Sequence, residues 1–179
     1  PSRADRIVGN ALFVSLSRYP FLWGEAELAR MAAEAADWQP QFLDVDPVYA
    51  VVFALYCERR GIRLPSLRFI VCSYEFVSAV HRRILERAFG VPVFNLYGST
   101  ETGHLLMEVG PGELRPSLET ALLEVLNTRA QGIGELAVTS RYLATGYLGE
   151  PARTAVAFKE HPDGGGLRTY LTGDLGRAL

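Results

Sequence analysis

The sequence predicts an α/β fold: a mainly parallel sheet with flanking helices over about residues 1–103, then a smaller antiparallel, β-rich subdomain over 104–179. Three observations predict it. Short apolar runs alternate with helical segments as far as Gly98, and such alternation forces parallel pairing through right-handed crossovers. One of those helices carries a complete set of start and stop signals. Beyond Gly103 helical spacing ceases, and β-rich runs are separated by glycine turns.

The elements run in order along the chain. "ALFVSL" (11–16) is a short apolar strand. "GEAELARMAAEAA" (24–36) places Leu28, Met31, Ala32 and Ala35 on one helical face. "QFLDV" (41–45) is a strand. In "DPVYAVVFALYCERRG" (46–61), Asp46 caps the helix start and Pro47 suits its first turn. Arg59 and Arg60 complement its last turn, and Gly61 suits a left-handed stop. Its middle is apolar nearly all round, so deep burial is expected. "RFIVCS" (68–73) is a strand. Ser78 caps a helix to Phe89, with Val80, Ile84 and Ala88 on one face and Gly90 as the stop. "VPVFNLYG" (91–98) is the next strand. Ligands of parallel sheets sit beyond the carboxyl ends of the strands. The loops Asp44–Pro47, Ser73–Phe76 and Gly98–Gly103 should therefore face one edge. After Gly103, "TALLEVL" (120–126), "GELAVTS" (134–140) and "LRTYLTGDL" (167–175) read as strands, with turns at 110–112 and 163–166.

Composition narrows the function. A net charge of −2 gives no reason to expect nucleic acid or an anionic membrane as partner, and no apolar run is long enough to span a bilayer. The polar start lacks a signal-peptide core. Cys57 and Cys72 lie in apolar stretches and read as buried reduced thiols, so a cytoplasmic location is expected. No Cys or His pair has metal-ligand spacing. All but one of the 18 basic residues are arginine, the exception being Lys159.

"GIGELA" (132–137) fits a loose G-x-G-x-x-A pattern, but the next residues are strand-like, so it reads as a tight turn into a strand. His81 is expected on a solvated helix face and His104 in a local structural role. The informative stretch is "NLYGSTETG" (95–103). Gly98 lets the backbone turn sharply. Thr100 offers a hydroxyl to a phosphate oxygen. Glu101 is a hard oxygen donor suited to Mg²⁺, and Tyr97 presents a flat face to a base.

Downstream stand "GELAVTSRYLATGYLGEP" (134–151) and "YLTGDLGR" (170–177). The order YGSTE, GELAVTS…GYL, TGDL resembles the adenylate-forming superfamily: acyl-CoA synthetases, adenylation domains of peptide synthetases, and luciferases. "ETGHLLMEV" and "GELAVTS" look most like the phenylacetate–CoA ligase branch. The resemblance covers roughly residues 40 to 179.

It implies an ATP-dependent ligase that activates a small carboxylic acid as its acyl-adenylate, with Mg²⁺, and passes the acyl group to CoA or to a carrier-protein pantetheine. By that resemblance Thr100 and Glu101 are catalytic, contacting the phosphates and holding Mg²⁺. Asn95, Tyr97, Gly98, Ser73, Tyr74, Glu75 and Asp174 bind the nucleotide and acyl group: Tyr97 packs on adenine, Asn95 lies near its edge, and Asp174 accepts from the ribose hydroxyls. Thr100, Glu101 and Asp174 should converge on one AMP-shaped cleft.

The chain departs from the pattern at Tyr74, where a small residue is common, and at Leu171, where Arg or Lys is common. It also lacks the family's Ser/Thr/Gly-rich phosphate loop and the C-terminal domain with its catalytic lysine, which Lys159 does not match. An interior piece of a longer enzyme, inefficient in adenylation alone, is expected. Tyr49, Phe53, Tyr74, Phe76 and Phe94 favour an aryl or other apolar acid. Transfer to a carrier protein or an amine, and a non-catalytic nucleotide-binding module, are the alternatives. A homodimer is compatible with all of them.

Overall fold

A computed structural model of the protein describes residues 2–17, 19–110, 112–117, 119–126 and 132–177. The chain forms two compact units, Pro1–Asn95 and Leu96–Leu179.

The N-terminal unit begins with a small hairpin, β1 (Ile7–Val8) and β2 (Ala11–Leu12), paired antiparallel. The strand expected over 11–16 ends at Leu12. Its next carbonyls are taken by side chains instead: Arg6 donates to the Phe13 oxygen (2.7 Å) and Arg30 to the Val14 oxygen (2.7 Å). A strand ladder that loses its acceptors stops.

Then come α1 (Glu25–Trp38), β3 (Phe42–Val45), α2 (Pro47–Arg60), β4 (Phe69–Cys72), α3 (Ala79–Phe89) and β5 (Val93–Ser99). β3, β4 and the start of β5 are parallel, with Val45 opposite Cys72 and Cys72 opposite Asn95. The loops after β3 and β4 therefore lie at one carboxyl edge, as the alternation predicts. The helix signals act as expected. The Asp46 carboxylate accepts from the Val48 (2.8 Å) and Tyr49 (3.4 Å) amides, Ser78 accepts from His81, and Gly61 and Gly90 adopt φ of 67° and 70°.

The core joins Leu28, Met31, Ala32 and Ala35 of α1 with Phe53, Ala54 and Cys57 of α2, Ile70 of β4 and Leu85 and Ala88 of α3. Burying a side chain such as Ile70 or Leu85 contributes roughly 1.5–3 kcal/mol. Three expectations need correction. α2 is buried on one side only, with Val48 and Leu55 exposed, because helices and sheet cover just one face. The inner face of α3 is centred on Leu85, and Val80 is exposed. His81 is half-buried rather than solvated, and its Nδ1 is buried without a partner. Cys57 and Cys72 are buried free thiols, and burial pushes the Cys57 thiol up to about 11.

In the C-terminal unit the second half of β5 turns into β6 (Gly103–Gly110), which pairs antiparallel with it and with β7 (Glu113–Pro116). A four-stranded antiparallel sheet has the order β10 (Phe158–Glu160), β11 (Arg168–Arg177), β9 (Ile133–Ser140), β8 (Leu122–Leu126). A short helix, α4 (Pro151–Ala157), precedes β10. "GIGELA" does enter a strand, β9. Leu105, Val138, Leu143, Phe158 and Tyr170 form the core. None of the described helices is long and apolar enough to cross a membrane.

Candidate functional site

The turn between β5 and β6 is built by hydroxyls. Thr102 Oγ1 accepts from the Ser99 amide (3.2 Å) and lies 3.1 Å from Ser99 Oγ, and the Thr102 amide donates back to the Ser99 carbonyl (3.3 Å). A Cβ on Gly98 would lie 2.2 Å from the Gly103 carbonyl oxygen, so the turn accepts only glycine there. This tight turn leaves Thr100 exposed and Glu101 half-buried.

The Glu101 backbone is tied to the segment that leads to Tyr147. Its carbonyl accepts from the Ala144 amide (2.8 Å), which brings the segment leading to Tyr147 alongside. Tyr147 and Tyr170 have their hydroxyls 3.3 Å apart. Burial alone would raise the Glu101 carboxyl. Its own amide and the hydroxyls of Ser99, Tyr147 and Tyr170 outweigh that and hold it below the usual carboxylate range. Burial, the Tyr147 hydroxyl and the Glu101 charge push Tyr170 well above an ordinary phenol.

Asp174 stands on a bulge. The β11–β9 ladder breaks between Leu171 and Leu175, so Thr172, Gly173 and Asp174 leave the pairing. Thr172 donates to the Leu136 carbonyl (2.8 Å) and accepts from the Asp174 amide (3.0 Å), while Gly173 takes φ of 79°. Such a bulge re-aims a side chain out of the sheet. Tyr97 donates to Asp174 Oδ2 at 2.5 Å, and burial together with this carboxylate pushes its phenol well above the ordinary range. Thus Tyr97 and Asp174 are brought together, and Tyr170 lies four residues before Asp174 on β11.

Within the N-terminal unit Asn95 pairs with Cys72 at the carboxyl edge of the parallel strands. Ser73 is buried and donates to Asp44 Oδ1 (2.7 Å). Tyr74 is left-handed (φ 77°) and 78% exposed, an uncommon backbone state for a bulky residue. Glu75 is exposed. A cavity of about 540 Å³ is lined by Trp23, Phe42, Asp44, Tyr49, Phe53 and Tyr74, among others. Of the five aromatics expected around the acid, Tyr49, Phe53 and Tyr74 line it. Phe76 is 77% exposed, and Phe94 packs edge-on against Phe69.

Among the described residues no three His, Cys, Asp or Glu side chains gather to hold a metal. A single charged carboxylate beside an exposed hydroxyl fits Mg²⁺, which usually takes the rest of its shell from phosphate oxygens and water. Sequence reasoning missed Thr102, Tyr147 and Tyr170 as parts of this site. The two tyrosines stand inside the GYL and YLTGD motifs, but no local pattern pairs them with Glu101.

No protein-family model matches the chain. It is 31% identical over 133 residues, 65% of its length, to a mycosubtilin synthase polypeptide of Bacillus subtilis, of which it spans 5%. It shares its fold, at a TM-score of 0.70 and 28% identity over 88% of the chain, with the nonribosomal peptide synthetase FmoA3 in its α-methyl-L-serine-AMP bound form, covering 20% of that protein. The anthranilate CoA ligase AuaEII in complex with anthranoyl-AMP has the same fold (TM-score 0.67, 19% identity, 85% of this chain and 30% of that one). In sequence and fold the chain is therefore similar to peptide-synthetase adenylation domains of the adenylate-forming superfamily.

Proposed function

We propose that this chain is part of an ATP-dependent ligase that converts a carboxylic acid into its acyl-adenylate and then a thioester. The observation that carries this is the Tyr97–Asp174 hydrogen bond, set by the β11 bulge, with the Gly98–Glu101 turn following Tyr97 directly along the chain. A carboxylate oxygen of the acid attacks the α-phosphorus, the bond to the bridging oxygen breaks, and pyrophosphate leaves. The thiol sulfur then attacks the acyl carbon and AMP departs. Both steps demand positioning and charge neutralisation at the phosphate.

The residues divide that work. Thr100 meets the phosphates. Glu101 holds Mg²⁺, which when bound neutralises charge on the phosphate oxygens. Tyr97 packs on adenine, with Asn95 at its edge. Asp174 keeps an oxygen for the ribose hydroxyls while Tyr97 steadies the other. Gly98 sets the turn. Ser73, Tyr74 and Glu75 border the acyl group. The aromatic cavity favours an aryl or other apolar acid, the kind taken by the phenylacetate–CoA ligase branch. A polar acid preferred in competition would remove that assignment.

Carrier-protein pantetheine is the better supported acceptor, because mycosubtilin synthase and FmoA3 carry the sequence similarity. CoA is the second reading, supported by the fold of the anthranilate CoA ligase. A cytoplasmic, homodimeric or monomeric enzyme accommodates either.

AMP binding tests the reading. Asp174→Ala should weaken it by about 1–3 kcal/mol, the worth of hydrogen bonds to a charged group. Equal AMP affinity in the two proteins would remove the nucleotide site and leave a non-catalytic interaction module.

A further inference from the structure

Resting on that reading, we propose that Asp44 selects an aryl acid whose far end carries a protonated amine. Asp44 lines the cavity of about 540 Å³, and Trp23, Trp38, Phe42, Tyr49 and Tyr74 line it with aromatic rings. Trp23 meets Tyr49 edge to face, with centroids 5.9 Å apart, and its Nε1 donates to the Ser17 carbonyl (3.2 Å). Phe42 stacks on Phe69 with centroids 5.4 Å apart. Phe42 and Asp44 are two residues apart on β3, so they share a face of the strand. Ser73 donates to Asp44 Oδ1 (2.7 Å), which orients the carboxylate and leaves Oδ2 to a ligand.

Charge decides what enters. Among the described residues no arginine or lysine lines the cavity. Its other carboxylate, Asp46, is engaged as the cap of α2. The lining therefore offers aromatic faces and one available negative charge, surroundings that hold an organic ammonium by an ion pair and cation–π contact. The acid's own carboxylate would be repelled there. None of Asn95, Tyr97, Gly98, Thr100, Glu101 and Asp174 lines the cavity, so it receives the tail of the acid and not its reacting end. The amine that Asp44 meets is thus remote from the reacting carboxylate, unlike the α-amine of an amino acid.

The test compares 4-(aminomethyl)phenylacetate with 4-ethylphenylacetate, which has the same shape and no charge at the tail. Affinities come from calorimetry. Trp23 and Trp38 are the only tryptophans of the chain and both line the cavity, so quenching of their fluorescence places the ligand there. The amine should bind about tenfold tighter, the worth of an exposed ion pair and a cation–π contact together. Asp44→Asn keeps the size of the side chain and an acceptor for Ser73, and should weaken binding of the amine about fivefold with little change for the ethyl compound. Equal affinities in the wild-type protein, or a preference that survives in Asp44→Asn, overturn the proposal and leave the cavity as a site for apolar aryl acids. Equal losses for both compounds in Asp44→Asn overturn it too, reducing Asp44 to a structural role. Tighter binding of L-phenylalanine than of 4-(aminomethyl)phenylacetate overturns the remote position of the amine. No quenching by any of the three overturns the proposal and the acid cavity together, while AMP binding that depends on Asp174 would leave the nucleotide reading standing.

Discussion

The glutamates of the N-terminal unit and the candidate-site carboxylates of the C-terminal unit meet different donors. In the N-terminal unit Glu34 receives Arg6 (2.6 Å) and Arg30 (2.6 Å), Glu27 receives Arg30, Glu25 receives Arg59 and Arg60, and Glu58 receives Arg87. In the C-terminal unit Asp174 accepts from the Tyr97 hydroxyl, and hydroxyl groups rather than arginines lower the Glu101 carboxyl. The exposed ion pairs of that unit, Arg115–Glu113 and Arg153–Glu150, involve other carboxylates. An arginine-paired carboxylate stays ionised but has its charge balanced by the guanidinium. A hydroxyl-paired one keeps its charge and can take a cation or a diol.

The contrast can be broken at several points, and the two tryptophans help, because Trp23 and Trp38 both report on the N-terminal unit. The largest effect is expected from Gly98→Ala. Its Cβ would meet backbone that cannot move aside, and overpacking of this kind costs on the order of 3 kcal/mol or more. Hydrogen exchange should show protection lost from β6, with the tryptophan-reported transition little changed. A shift of the tryptophan transition as large as the loss in β6 would show that the units melt as one.

Next in size is the arginine pairing of Glu34. Hydrogen bonding from Arg6, opposed by burial and aided by Arg30, lowers its carboxyl from 4.5 to about 2. A depressed folded value means the contribution is complete above about pH 4.5 and is lost as the pH falls towards 2. Glu34→Gln should therefore remove roughly 2 kcal/mol at neutral pH and much less near pH 2. Denaturation followed by tryptophan fluorescence across that range checks it, and a penalty independent of pH would deny the ion pair its part.

Asp46→Ala removes a helix cap and should cost about 1 kcal/mol, read from the same transition. Val80→Ser should change stability by less than about 0.5 kcal/mol, because that side chain faces solvent. A cost above about 1 kcal/mol would mean that the exposed side of α3 is covered in solution.

Local signals carry the reading furthest in the N-terminal unit. Asp46, Ser78, Gly61 and Gly90 act where the sequence places them, since capping is decided within one helical turn. Leu28, Met31, Ala32 and Ala35 likewise form the face their spacing predicts. The errors lie where partners are distant in sequence. Arg6 and Arg30 cut short the strand after Leu12. The exposed side of α2 depends on what the sheet leaves uncovered. In the C-terminal unit β6, β7, α4 and β10 do not stand out individually in the sequence, because short antiparallel strands take their register from neighbours rather than from composition. The order of the motifs points to Thr100, Glu101 and Asp174. Tyr97, which bonds Asp174, lies within the first of those motifs without any sign of that pairing.

By itself the sequence determined the α/β alternation, the helix limits and the identity of the polar residues in the turn after β5, since these depend on propensity, capping and chain order within a few residues. Tertiary structure alone decided which donor each carboxylate meets. Tyr97 is brought to Asp174 by a sheet bulge and a strand return across a separation of 77 residues. Contacts at that separation are set by the packing of whole strands, and no local pattern encodes them.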